Sequence, residues 1–264
     1  MSVGFIIPLK AKKISNDWPF TCELLNKTLD SLRNQTNEQF HIVVVGHDKP
    51  HFSKENNAIA DFLECSFDIP VKKEHTGEIS HVSHISRIVD KVQKIAEGLV
   101  YLENAYRCTY YMGLDADDLL HKELVEYVME NKNPNGYLLN KGYEYHVNYA
   151  KVVYRDNMSE ICGSTSLSHR DHIIIPELTD FKSVRALGIP FFESHQQIAA
   201  TYSDKGAALK EVPFPAMIYK LGHGQNVSNE FRNGFVKGLK LILKLMLKGK
   251  PLKEKMRGDF AITE

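Results

Sequence analysis

Three carboxylates lie within four residues of the chain, at Asp115, Asp117 and Asp118, directly after the apolar segment 109–114. Like charges packed this closely repel each other unless a cation is shared between them. Hard divalent ions such as Mg²⁺ and Mn²⁺ prefer oxygen ligands and also bridge the phosphates of a substrate. The cluster therefore predicts a metal ion held to a diphosphate group.

Two other interpretations of the cluster stay open at this point. Asp117 or Asp118 could cap a helix that begins directly after them, where a carboxylate also meets the helix dipole favourably. An EF-hand loop fits in part, because Asp115 and Asp117 would take its first and third positions and Glu126 its twelfth. Leu120 stands where that loop requires glycine.

Apolar periodicity predicts the elements that position the cluster. Continuous apolar runs indicate buried strands, and apolar residues three or four apart indicate helices. The clearest segments are strands at 3–9, 41–46 and 109–114 and helices at 22–32 and 80–102. This β-α-β-α-β alternation predicts an open α/β sheet, whose ligands bind beyond the carboxyl ends of the strands.

Four further segments have weaker patterns. We expect helices near 58–63, at about 120–130 and at about 194–203, and a short strand at 67–73. The region after residue 136 is less regular.

The C-terminal segment is strongly basic, although the whole chain of 264 residues has a formal net charge of zero. Within residues 235–248, Lys237, Lys240, Lys244 and Lys248 follow one helical stripe, and apolar residues fill most of the remainder. This pattern predicts a basic amphipathic helix, which could bind an anionic membrane surface. A helix docked on the domain with its lysines in water is an equal alternative.

The N-terminal residues 1–9 lack a basic start and a long apolar run, so they do not resemble a signal peptide or a membrane span. We expect a cytoplasmic protein, with peripheral attachment at the inner face of the membrane if the basic helix binds lipid.

The order of these features resembles the GT-A glycosyltransferases, and family 2 most closely. The resemblance is carried by the strand with Pro8, the strand 42–45, the pair Asp90-Lys91 on the long helix, and the run 111–118. It implies the nucleotide-diphospho-sugar transferase fold, a Rossmann-like open mixed sheet flanked by helices.

The resemblance also implies a division of the chain. Residues 1–228 would form the GT-A domain, with a nucleotide-binding half at about 1–118 and an acceptor-side half at about 119–228. Residues 229–264 would form the basic amphipathic tail.

By the same resemblance, Asp115 approaches the ribose or sugar of the donor, and Asp117 coordinates the metal. The segment 222–228 resembles a late His-Gly-X-Asn-X-Ser loop of the family, in which His223 would complete the metal site. Glycines on both sides of His223 permit the turns that this requires.

Four more residues are predicted to contact the donor. Pro8 lies in the first strand, and His47 and Asp48 stand where the family has an acidic pair after the second strand. Lys91 is a candidate helper on the phosphates, where a metal ion would stabilise the leaving diphosphate as a Lewis acid.

An inverting transferase needs a group that removes the proton of the acceptor hydroxyl. Glu193 and His195 are the candidates, because the apolar residues before them could raise a carboxylate pKa and the family has an acidic base in a comparable stretch. The polar segments 163–165 and 169–171 are predicted to line the acceptor pocket.

The predicted function is therefore transfer from a nucleotide diphosphate sugar, most simply a UDP-sugar, to a glycan or lipid-linked acceptor in surface polysaccharide biosynthesis. Nucleic acid is not among the predicted partners. A sugar-phosphate nucleotidyltransferase would need a glycine-rich loop after the first strand, where residues 10–13 have none, and a haloacid dehalogenase phosphatase would place its Asp-X-Asp after that strand. A non-catalytic glycan- or membrane-surface-binding protein on a degenerate GT-A fold is the alternative.

Overall fold

The computed structural model describes residues 1–69, 84–222 and 235–263, which form an α/β structure. The strands are β1 (Val3–Pro8), β2 (Phe40–Gly46), β3 (Ala60–Glu64), β4 (Tyr110–Gly113), β5 (Leu119–Leu120), β6 (Gly136–Leu138), β7 (Gly142–His146), β8 (Lys151–Arg155), β9 (Ser166–His169), β10 (Lys210–Glu211), β11 (Met217–Leu221) and β12 (Lys250–Pro251). The helices are α1 (Trp18–Arg33), α2 (His84–Tyr106), α3 (Leu124–Asn131), α4 (Phe181–Ala186), α5 (His195–Asp204), α6 (Phe235–Lys248) and α7 (Glu254–Asp259).

The larger sheet has the strand order β10-β6-β9-β4-β1-β2-β3. Strands β4, β1, β2 and β3 are parallel, whereas β9 runs antiparallel to both β4 and β6. The sheet is therefore mixed, and helices flank it, which confirms the predicted fold class. Its core strands are almost wholly apolar, as expected for strands covered on both faces.

A second sheet has the strand order β12-β8-β7-β11-β5. Its edge strand β5 pairs antiparallel with β11, where Met217 lies opposite Leu120. The segment 115–118 separates β4 of the larger sheet from β5 of the smaller one. The acidic cluster thus forms one of the connections between the two sheets.

Helix α2 packs against β1 and β2 through the buried side chains of Ala96, Leu99 and Leu102. At Gly98 the helix comes so close to the sheet that a Cβ atom would lie 2.9 Å from Cγ2 of Val45. Because α2 precedes the parallel strand β4, its first half lies at the carboxyl edge of the sheet. This arrangement brings Lys91 to the cluster.

Several predicted elements are confirmed, with shifts of a few residues at their ends. The helical patterns at 22–32, 80–102, 194–203 and 235–248 correspond to α1, α2, α5 and α6, although residues 80–83 lie outside the described part. The division into residues 1–228 and 229–264 stays a prediction.

The prediction of a helix at 58–63 is wrong, because Ala60–Glu64 form β3 in parallel with β2. A short apolar run suits a helix or a strand equally, and pairing with Ile42–Gly46 decides the outcome here. The predicted strand at 67–73 is also wrong where it can be compared, since residues 67–69 form no strand and residues 70–73 lie outside the described part.

The helix expected at 120–130 begins later, at Leu124, because Leu119 and Leu120 pair with β11. Neither Asp117 nor Asp118 caps it, and Glu123 holds the N-cap position. The capping interpretation of the cluster is therefore wrong. The EF-hand interpretation fails as well, because strand β4 and not a helix precedes the cluster, and Oε2 of Glu126 accepts a hydrogen bond from the Thr36 hydroxyl.

Candidate functional site

The acidic cluster forms a tight turn directly after β4. The N–H of Asp118 donates to the carbonyl oxygen of Asp115 at 3.1 Å, and the N–H of Asp115 donates to Oγ of Ser164 at 2.8 Å. The turn is thus fastened to the segment that precedes β9. These contacts fix the backbone from which the carboxylates project.

Lys91 of α2 reaches the first carboxylate of the cluster, with its Nζ 2.5 Å from Oδ1 of Asp115. Burial opposes the charge of this lysine, but the Asp115 carboxylate outweighs burial and raises the pKa of Lys91 above its ordinary value. A Cβ atom at Gly163 would lie 3.0 Å from the Nζ. Glycine at that position therefore leaves the ion pair room beside the backbone.

Asp118 differs from its neighbours because its side chain is fully buried. Burial, and then the charges of Asp117 and Asp115, raise the pKa of the Asp118 carboxyl well above its ordinary value. Its Oδ2 accepts a hydrogen bond from the Cys162 thiol at 3.0 Å. Its Oδ1 is buried without a hydrogen-bond partner among the described residues.

The carboxylates of the cluster fit a hard divalent cation that also keeps water and phosphate ligands. Mg²⁺ in particular is held by one or two carboxylates together with substrate phosphates. Among the described residues, no group of three or more His, Cys, Asp or Glu side chains is arranged to hold a metal ion. The predicted ligand His223 lies outside the described part of the chain.

Lys220 of β11 is a charged residue near the cluster that the sequence patterns did not single out. It is only 5% exposed, and burial, together with the positive charge of Lys27, lowers its pKa to about 8. The charges of Asp117 and Asp118 act in the opposite direction. A lysine inside the apolar segment 216–221 was the signal that could have identified it.

The predicted donor contacts His47 and Asp48 follow β2 at the same edge of the sheet. Nε2 of His47 lies 2.8 Å from Oδ1 of Asp90, whose Oδ2 accepts from the buried Lys94 at 2.6 Å. The same lysine also donates to the carbonyl oxygen of Leu9 at 2.8 Å. This buried network connects the ends of β1 and β2 to α2. Asp90, one of its residues on α2, directly precedes Lys91.

Two more predicted donor residues lie beside this network. Oδ2 of Asp48 accepts a hydrogen bond from the N–H of Lys12 at 2.8 Å. Pro8 lies opposite Val45 in the parallel register of β1 and β2. The structure therefore gathers Pro8, His47, Asp48, Lys91 and Asp115 at the carboxyl edge of the larger sheet.

The two candidate bases have different partners. Oε2 of Glu193 lies 3.1 Å from the guanidinium of Arg185 in α4. Nδ1 of His195 lies 2.7 Å from the carbonyl oxygen of Ser159, an acceptor that requires the proton on Nδ1. Ser159 belongs to the same short loop as Cys162 and Ser164, which contact the cluster. This loop therefore connects His195 to the cluster.

The two segments predicted to line the acceptor pocket are separated in the structure. Ser164 contacts the cluster directly, as described above. In contrast, His169 lies opposite Tyr110 at the start of β4, and Arg170 pairs with Glu103 near the end of α2. Residues 169–171 therefore lie near the start of β4, whereas the cluster follows its end, and their role at an acceptor pocket stays a prediction.

No known protein family and no curated protein matches this sequence. Among solved structures, the chain is similar to residues 1–349 of S. aureus TarS in complex with UDP-GlcNAc, at 13% identity and a TM-score of 0.47, over 86% of this chain and 61% of that one. The same fragment in complex with UDP aligns at 12% identity and a TM-score of 0.48, over 84% and 61%.

A structure from Desulfovibrio desulfuricans G20, described as a nucleotide-diphospho-sugar transferase, aligns at 10% identity and a TM-score of 0.38, over 94% of this chain and 97% of that one. The chain spans about three fifths of the length of the TarS fragments that it matches. All these TM-scores are below 0.5.

Proposed function

We propose that this protein is a glycosyltransferase that moves a sugar from a nucleotide diphosphate donor, a UDP-sugar, to a glycan or lipid-linked acceptor. The observation that carries the proposal is the pairing of Lys91 with Asp115 in a turn that also holds Asp117 and Asp118. A cation and several carboxylates at the carboxyl edge of an α/β sheet suit a ligand that combines a diphosphate with hydroxyl groups.

The residues at the donor side would have separate roles. Asp117 would hold Mn²⁺ or Mg²⁺ together with His223, and such an ion stabilises a leaving diphosphate when it is bound. Asp115 would accept hydrogen bonds from donor hydroxyls. Lys91 lies beside that carboxylate. Its ammonium group would also contact a phosphate oxygen of the donor.

Of the two candidate bases, we favour His195. Its Nδ1–H is held by the Ser159 carbonyl, so the lone pair remains on Nε2, where it can accept the proton of an acceptor hydroxyl. Glu193 is held by Arg185, and this ion pair favours a structural role for its carboxylate. Direct attack assisted by a base inverts the configuration of the transferred sugar, and surface polysaccharide biosynthesis is the setting that we propose for the reaction.

Calorimetric titration with UDP, GDP and their sugars, with and without Mn²⁺, tests this proposal. We expect binding of one nucleotide class that strengthens with Mn²⁺ and is weakened at least about tenfold by Asp117→Asn. Asp156→Asn is the matched control, because Asp156 is an exposed carboxylate outside the cluster of residues 115–118. If no nucleotide binds, the result would instead support a non-catalytic glycan- or membrane-surface-binding protein.

A further inference from the structure

Helix α6, the second-last helix of the chain, has an apolar face that is exposed to solvent. Ile242, Leu243, Met246 and Leu247 are 44, 55, 74 and 76% exposed. At 3.6 residues per turn, these four positions form one continuous stripe along the helix. Large exposed apolar stripes of this kind mark contact surfaces.

The opposite face of α6 fixes this orientation. Leu245 is only 3% exposed where the helix packs on β8. Lys244 forms an ion pair with Glu144, a buried residue of β7 that also contacts Arg155 at 3.3 Å. The chain then continues into β12, which pairs with β8. The lysine that points inward therefore has a partner, and the apolar stripe is held outward.

The surroundings of the stripe are basic. Residues 231–258 contain nine Lys or Arg and one acidic residue, Glu254. Lys240, Lys248, Lys250 and Lys253 are exposed. An apolar stripe with exposed lysines around it complements the acyl boundary and the headgroups of an anionic membrane.

We propose that α6 is an interfacial helix that inserts Ile242, Leu243, Met246 and Leu247 into the surface of an anionic lipid bilayer. Its 14 residues are too few to cross a bilayer, so the helix lies in the plane of the surface. A second copy of the chain is a poorer occupant, because pairing through this face would bring two strongly basic segments together. The proposal does not depend on sugar transfer.

Vesicle flotation with the full chain tests the proposal. We expect binding to vesicles of equal parts phosphatidylcholine and phosphatidylglycerol, and much weaker binding to phosphatidylcholine alone. The double variant Met246→Gln/Leu247→Gln should bind the anionic vesicles at least about tenfold more weakly. Its matched control is Ile174→Gln/Leu178→Gln, which changes two side chains that are 58 and 66% exposed on another surface and should bind as the wild type does.

Equal binding by the α6 variant and the wild type would overturn the proposal, as would equal binding to neutral and anionic vesicles. Sedimentation without lipid addresses the second-copy alternative. We expect a monomer for both proteins, whereas a wild-type dimer that Met246→Gln/Leu247→Gln dissociates would assign the stripe to self-association and contradict membrane insertion.

Fluorescence separates insertion from adhesion. The chain has a single tryptophan, Trp18, so the emission of Met246→Trp minus that of the wild type reports position 246. We expect this difference emission to shift to shorter wavelength with anionic vesicles. An unchanged spectrum in the presence of bound vesicles would contradict insertion of the stripe.

Discussion

The three carboxylates of the cluster have different environments, although they lie within four residues. Asp115 is paired with Lys91, Asp117 is partly exposed, and Asp118 is buried against the Cys162 thiol. Only the first two side chains are accessible to a ligand that approaches from solvent. Asp118 is better suited to hold the turn, because the loop that supplies Cys162 also supplies Ser164 to the backbone of Asp115.

We expect His195→Gln to lower kcat about 10²–10⁴-fold with little change in the KM of the donor, because glutamine cannot accept the acceptor proton. Steady-state kinetics with the donor and the acceptor would measure both parameters.

Glu193→Gln provides the comparison, because it changes the other candidate and removes only the pairing with Arg185. Its kcat should stay within a few-fold of the wild type. The reverse pattern, a large loss for Glu193→Gln and a small one for His195→Gln, would assign the base to the carboxylate.

Local sequence patterns were sufficient to identify some site residues and insufficient for others. Asp115 and Asp117 were identified because they lie close together in sequence after an apolar strand. Ser164 contacts Asp115 across 49 residues, and Cys162 contacts Asp118 across 44. Such partners depend on how β9 returns beside β4, which no local pattern contains.

At the scale of elements, the contact between α2 and the sheet places Lys91. We expect Gly98→Ala to lower the free energy of unfolding by about 1–3 kcal/mol, because the added methyl group would overlap Ile6 and Val45 in a packed core. This loss should occur although alanine favours a helix by about 1 kcal/mol over glycine.

Gly258→Ala is a matched control for that substitution. Gly258 is also helical, in α7, and a Cβ atom there would meet no other group within 4 Å. Urea denaturation should show a gain of about 0.4–1 kcal/mol for this variant. A similar gain for Gly98→Ala would show that α2 does not pack on the sheet as described.

The attachment of α6 depends on Glu144. Burial opposes the charge of this carboxylate, but hydrogen bonds from His146 and Lys244 and the nearby charges lower its pKa to about 2, from an ordinary value of 4.5. A carboxylate whose pKa is lower in the folded state stabilises the fold above its unfolded pKa. That stability is lost as the pH falls from about 4.5 to about 2.

We therefore expect Glu144→Gln to be less stable than the wild type by about 1–3 kcal/mol at pH 7. The difference should shrink toward zero as the pH approaches 2, in urea denaturation at a series of pH values. Glu254→Gln, at an exposed position, should change stability by less than about 0.5 kcal/mol at any pH. A Glu144→Gln difference that does not vary with pH would contradict the buried ion pair.

Elements with many apolar residues at regular spacing were predictable, and short ones were not. The pattern of α2 extends over six turns, whereas β3 and β5 have five and two residues. Pairing with β2 made a strand of residues 60–64, and pairing with β11 delayed the start of α3. Tertiary contacts decide the structure of such short segments because their own preferences are weak.

In the whole molecule, the cluster is one of the segments that connect the two sheets. The larger sheet and α2 supply the predicted donor side, and β5 begins the smaller sheet, whose strands β7 and β8 support α6. Among the described residues, no helix is long and apolar enough to cross a membrane. Strand β5, which directly follows the cluster, belongs to the same sheet as β8, on which α6 packs.

Release of nucleoside diphosphate from a panel of UDP- and GDP-sugars, with Mn²⁺ or with EDTA, tests whether the protein is a metal-dependent sugar transferase. The proposed function predicts release from one donor class that requires the metal and falls at least about 10²-fold in Asp117→Asn, while Asp156→Asn keeps wild-type turnover. Release that proceeds equally in EDTA, or that Asp117→Asn leaves unchanged, would contradict a metal-dependent transferase centred on Asp117.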